Sequence, residues 1–180
     1  MKQCWRVFLV PVLMVCGAAL AFAQNQVPSR EWKEYSYADD GFAFTVPSKP
    51  VFQKQEQAAA GGSVEMRQYS VDLGGDTGVL MSVSDFKDAE NVTAKTLLEG
   101  AVNGSVQATK AKKTSQKDIE LQQTPGIEFE ADSDAYHFLG RYYWAKGRLF
   151  ALLAIAPLNT PFPADAGRVL DSLKFVERPK

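Results

Sequence analysis

Glu128 and Glu130 alternate with Ile127 and Phe129. A strand there puts both carboxylates on one face roughly 7 Å apart, near the separation used in two-carboxylate glycoside hydrolysis. A half-exposed strand gives the same alternation with no catalytic purpose. Asp76-Thr77-Gly78 matches the triplet in which paired carboxylates of aspartic proteases share a proton. Gly74 and Gly75 stand before it in place of apolar strand residues, and a hairpin turn accounts for all three glycines. The triplet occurs once, so a protease would need a dimer. His137 is the one histidine, so a Ser-His-Asp arrangement would have to be built on it. It lies between Tyr136 and Phe138, and no Gly-x-Ser-x-Gly elbow accompanies it, which favours a structural histidine on a strand.

Binding chemistry is equally sparse. Zinc sites gather several His or Cys ligands, which this chain does not offer. Calcium needs only oxygens, to which Asp132 and Asp134, or Asp39 and Asp40, could contribute, but the ligand series of an EF-hand loop is missing. No Gly-rich turn runs from strand to helix at the spacing of a phosphate loop or dinucleotide fingerprint. The sequence therefore assigns no catalytic, metal or cofactor residue. Tyr142, Tyr143 and Trp144 are consecutive on a strand, so they cannot share one face. If both faces are covered, all three are core. If one is open, Tyr143, with Trp144 and Arg141, marks a patch for a partner or ligand.

The amino-terminal segment sets the compartment. Lys2 and Arg6 precede an uncharged run, Val7 to Ala23, that ends in the small-x-small pattern Ala21-Phe22-Ala23. This reads as a cleaved secretory signal over 1–23. As a helix the run spans only about 25 Å against a hydrocarbon core of roughly 30 Å, and Pro11 weakens it as an anchor. Acylation at Cys16 is the rival, giving a membrane-tethered lipoprotein, although Val15 stands where such peptidases take a small residue. Both cysteines, Cys4 and Cys16, leave with the signal, so the mature chain has no disulfide. Its formal net charge moves from −1 to −3 as Lys2 and Arg6 go. An acidic balance gives no drive toward nucleic acid. A disulfide-free exported chain fits a bacterial envelope, periplasmic or extracellular. The triplets Asn91-Val92-Thr93 and Asn103-Gly104-Ser105 matter only on a eukaryotic secretory route.

Periodicity supplies the elements that must position these residues. A short polar leader, 24–30, precedes one α+β domain over 31–180. Trp32 to Tyr37 and Phe42 to Val46 flank the turn 38–41 as a hairpin burying Phe42, Phe44 and Val46. Strands follow over 51–57, 63–73 and 79–86, with a small-residue loop over 58–62 and a turn over 74–78. The period then approaches 3.6. Ala94, Leu97, Leu98, Ala101, Val102, Ser105 and Val106 share one face of a helix within 92–108, capped by Asn91 or Asp88. Lys110, Lys112, Lys113 and Lys117 read as a solvated loop after it. A meander follows over 118–123, 127–131, 136–145 and 149–156, with turns at Pro125-Gly126, Ser133-Asp134 and Lys146-Gly147-Arg148. Leu149 to Ala156 is apolar almost throughout and reads as a central strand. Pro163 opens a last helix reaching Leu173, with Phe162, Ala166, Val169, Leu170 and Leu173 inward.

Four stretches carry a family resemblance. They are Asp40-Gly41-Phe42-Ala43-Phe44-Thr45-Val46-Pro47, Pro125-Gly126-Ile127-Glu128-Phe129, Arg141-Tyr142-Tyr143 through Gly147-Arg148-Leu149-Phe150, and Leu170-Asp171-Ser172-Leu173-Lys174-Phe175. In this order they resemble the exported bacterial members of the PsbP-like superfamily, including DcrB-like proteins. The resemblance implies an α/β/α sandwich around a curved, mainly antiparallel sheet. It brings no catalytic residue with it, and implies a binding, assembly or accessory role with an unidentified protein or small ligand. A carboxylate-dependent hydrolase using Glu128/Glu130 or Asp76 is the enzymatic alternative.

Overall fold

The computed structural model describes residues 31–59, 62–86 and 93–179. The expected secretory signal with Cys4 and Cys16, the expected leader 24–30, and Asp88 and Asn91, the residues expected to cap the first helix, lie outside these.

The chain is an α+β structure dominated by antiparallel strands. β1 (Lys33–Tyr37) and β2 (Phe42–Val46) form the expected hairpin. Its turn closes with the N–H groups of Asp40 and Gly41 donating to the Tyr37 carbonyl, and Gly41 supplies a φ of 81°. Phe42, Phe44 and Val46 are fully buried, as alternation requires. β3 (Val51–Ala59), β4 (Gly62–Gly74) and β5 (Thr77–Asp85) form a meander. Helix α1 (Ala94–Ala108) then carries the chain across to β6 (Lys112–Leu121). From there β7 (Thr124–Asp132), β8 (Tyr136–Ala145) and β9 (Arg148–Pro157) step back until β9 pairs with β5. The result is a seven-stranded sheet in the order β3-β4-β5-β9-β8-β7-β6. Helix α2 (Ala164–Asp171) follows, and β10 (Lys174–Phe175) joins the far side of β2 to complete a separate three-stranded sheet.

Two cores form because β9 is apolar in both directions. Phe150, Leu152 and Ala154 enter one cluster with Phe42, Phe44, Val46 and the α2 residues Ala166, Val169 and Leu170. Ala151 enters the other with Leu98 and Val102 of α1, and Leu149, Leu153 and Ile155 pack against it. Side chains alternate across a strand, so the two clusters occupy opposite faces of the large sheet. Thr93, rather than the expected Asn91 or Asp88, caps α1, its hydroxyl accepting from the Thr96 N–H at 3.2 Å. Pro163 is the N-cap of α2 rather than its first residue, and Ser172 ends the helix one residue before Leu173.

Two expectations are corrected. The lysine run lies on β6, with Lys112, Lys113 and Lys117 on an exposed edge strand. Residues 112–118 are exposed on both faces and so show no period of two, and the lysines oppose edge-to-edge pairing; the expected strand over 118–123 overlaps the end of β6, where Ile119 and Leu121 pack on the core. Pro125 and Gly126 are inside β7; the turn is Gln122-Gln123, with φ of 49° and 63°. Pairing with β8 begins only at Gly126 opposite Tyr143, so the missing N–H of Pro125 breaks no ladder on that side. Gly126 is required by contact, because a Cβ there would stand 2.5 Å from the Tyr143 ring.

Candidate functional site

Three core-facing stripes of the large sheet end in charge at the same end. Arg67 continues the face of Tyr69, Val71 and Leu73; Asp85 continues that of Val79, Met81 and Val83; Arg148 continues that of Phe150, Leu152 and Ala154. Asp40 reaches them from the β1–β2 turn. Arg67 donates to Asp40 at 2.5 Å, to Asp85 at 2.7 Å and to Glu65 at 3.1 Å. Arg148 donates through Nε to Asp85 at 2.5 Å and through Nη1 to the Asp40 carbonyl at 2.8 Å. The second carboxylate oxygen of Asp40 accepts from the Tyr69 hydroxyl.

Arg148 is 5% exposed and Asp40 7%, so this cluster replaces hydration with fixed partners. Burial works against the Arg67 charge, but hydrogen bonds to Asp85 and Asp40 outweigh it and hold the guanidinium above its ordinary pKa. Burial raises the Asp85 carboxyl, and donation from Arg148 and Arg67 reverses this, leaving it below the usual range. Burial, then the hydrogen bond and charge of Asp40, push the Tyr69 hydroxyl well up. Arg67 and Asp85 are thereby held in their charged forms and Tyr69 in its neutral form, which suits a brace better than a proton carrier.

Beside the cluster lies an open cleft of about 590 Å³. Its floor includes Phe150 and Phe175, whose ring centroids are 4.8 Å apart. Arg148 borders both cluster and cleft, and Lys146, Arg178 and Glu177 stand at the exposed rim. The carboxy-terminal strand forms one wall and is fastened from two sides. The Val176 N–H donates to the Gly41 carbonyl at 3.0 Å. On the other side the Gln122 side-chain amide acts as a substitute strand, accepting from the Phe175 N–H at 2.6 Å and donating to its carbonyl at 3.3 Å. The left-handed Gln122-Gln123 turn thus joins the two sheets beside the cleft.

No family model matches the chain, and no curated protein matches it. The solution structure of cyanobacterial PsbP (CyanoP) from Synechocystis sp. PCC 6803 is similar, with a TM-score of 0.54 and 16% sequence identity. The match covers 83% of this chain and 95% of that one. The fold is PsbP-like. The four motifs that resemble this superfamily lie at the β1–β2 hairpin, β7, the β8–β9 hairpin and the α2–β10 join.

Within the PsbP-like fold the residues nominated from sequence are scattered. Tyr143 is 4% exposed and meets Phe175 edge to face at 5.6 Å, so it takes the core position that covered faces give it. Tyr142 points to the α1 side, where its hydroxyl pairs with Ser105 at 2.8 Å. Trp144 is half-buried against Phe86. Arg141 is held by Glu128 at 2.6 Å and Asp171 at 2.7 Å. Glu128 also binds Lys117 at 2.7 Å. Burial raises the Glu128 carboxyl, but its bonds to Lys117 and Arg141 bring it below the ordinary value, which removes it as a proton donor near neutrality. Asp76 sits in the β4–β5 turn with φ of 58°, as the hairpin reading requires. His137 lies directly across from Asp132 in the β7–β8 ladder and pairs with it, its ring edge-on to Phe162. The Arg67–Asp85–Arg148 cluster and its cleft were not nominated. Their signal was a charged residue at the end of each of three inward apolar stripes.

Proposed function

We propose that this is an exported, non-enzymatic binding or accessory protein of the cell envelope, which engages its partner or ligand at the cleft beside Arg148. The observation that carries the reading is a contrast in how charges are used. Glu128 is clamped between Lys117 and Arg141 and His137 is paired with Asp132, whereas Lys146 and Arg178 at the cleft rim have no ion-pair partner among the described residues. Preorganised charge above an aromatic floor recognises; a catalytic pair would need a group free to exchange its proton. The hydrolase alternative is disfavoured by the clamping of Glu128 between Lys117 and Arg141.

Export rests on the 1–23 segment and its cleavage pattern, with a tether through Cys16 as the alternative. No helix among the described residues is long and apolar enough to cross a membrane. The α/β/α sandwich reading is supported by α1 and α2 contributing to cores on opposite faces of the large sheet.

A photo-crosslinking residue at Thr124, on the cleft lining, tests the binding reading in the native envelope, with Asn103 on the exposed side of α1 as control. A crosslinked species from Thr124 that is absent from Asn103 is expected. Equal labelling from both positions, or none, contradicts the reading.

A further inference from the structure

We propose that the cleft is a site for a small amphipathic carboxylate, its anionic end held by Arg148, Lys146 and Arg178 and its apolar body laid on Phe150 and Phe175. This rests on the cleft being the binding site and adds the chemical class of what it binds.

The size comes first. A space of about 590 Å³ lies within the roughly 300–1,000 Å³ typical of small-molecule sites. The floor then selects an apolar body. Phe150 and Phe175 form a tilted pair 4.8 Å apart, and Ala145 and Val176 extend the apolar surface.

The charge selects a monoanion. Arg148 is almost entirely buried yet borders the cleft. Its Nε is fixed on Asp85 and its Nη1 on the Asp40 carbonyl, while Nη2 has no partner among the described residues. The guanidinium is thus immobilised before a ligand arrives, so little side-chain freedom is lost on binding. Asp85 offsets the charge of Arg148, and Glu177 at the rim opposes one of the two exposed cations Lys146 and Arg178. The remaining excess is a single positive charge. That suits a carboxylate and disfavours a doubly charged phosphate, which would exceed the single net positive charge and be repelled by Glu177.

The test uses octanoate, octanol and inorganic phosphate as probes in amide-resolved NMR titrations of the protein as purified from its producing cells, at low salt. Octanoate is expected to saturate, with shifts at Gly41, Lys146 and Val176. Octanol should bind about tenfold more weakly, and phosphate should not saturate. Lys146→Glu/Arg178→Glu should weaken octanoate by about tenfold while leaving Tm unchanged, since both side chains are exposed. Equal binding of octanol, saturable phosphate, or no effect of the double variant would each overturn the assignment. Failure of octanoate with the Thr124 crosslink retained removes the carboxylate and leaves the binding site standing; loss of both removes the site itself.

Discussion

Replacing Arg67 by Met separates the cluster's role as a brace from that of an incidental surface network. Three carboxylates lose a donor, but unequally. Asp85 keeps Arg148 and Glu65 keeps Lys54. Asp40 keeps the Tyr69 hydroxyl but no cation. The Arg67 and Asp40 side chains are 13% and 9% exposed, so this pair lies near the buried regime, where removing one partner costs about 3–5 kcal/mol. The Tyr69 bond leaves Asp40 partly satisfied, which places the cost toward the lower end, about 2–4 kcal/mol. The Asp85 and Glu65 contacts, 41% and 44% exposed, add little. For a chain of this size the loss lowers Tm by about 4–16 °C.

Urea unfolding monitored by tryptophan fluorescence at pH 7 measures the change, and acid titration gives its sign. The Asp85 carboxyl is held below its ordinary value of about 3.9, so its contribution is present above that pH and disappears as pH falls through the folded value. Arg67→Met removes part of that depression, so the small Asp85 share of the difference between wild type and variant should disappear below about pH 4. A loss smaller than about 1 kcal/mol at pH 7, or a difference that widens in acid, refutes the brace.

Further outcomes follow from the same contacts. Gly140→Ala puts a Cβ 2.3 Å from the Phe129 ring and should cost about 1–3 kcal/mol by differential scanning calorimetry, whereas Gly167→Ala, with open space around it, should be neutral or stabilising. Tyr143→Ser removes a buried ring and should lower stability by about 3–5 kcal/mol in urea; an unchanged midpoint would return Tyr143 to the surface. Glu128→Gln should flatten the loss of stability on acidification below about pH 4.3, because a carboxyl depressed by Lys117 and Arg141 stabilises above its unfolded pKa and ceases to as pH falls through the folded one. A circular-dichroism midpoint series across pH checks it.

Elements with an inward apolar stripe were legible from sequence. Phe42, Phe44 and Val46 mark β2 by alternation, and Leu98 and Val102 mark α1 by helical spacing. Only the first part of β6 was misread, because Lys112 to Lys117 is exposed on both faces and prints no period, so its lysines looked like a loop, whereas 118–121 was legible as strand. The Gln122-Gln123 turn was hidden because two non-glycine residues occupy left-handed φ, while Pro125-Gly126 offered a stronger turn signal. That glycine answers instead to the Tyr143 ring across the ladder, a contact that spacing along the chain does not reveal. Pairing of β10 with β2 joins residues far apart in sequence and leaves no local trace. The site was missed for a related reason. Arg67, Asp85 and Arg148 each look like an ordinary strand-end charge, and only β5 lying between β4 and β9 brings them together.

Native mass spectrometry of the protein isolated gently from the cells that make it tests the cleft most directly. The expected result is a bound species on the wild-type chain that is lost from Lys146→Glu/Arg178→Glu. The same mass on both proteins, or bare protein from both, would contradict it.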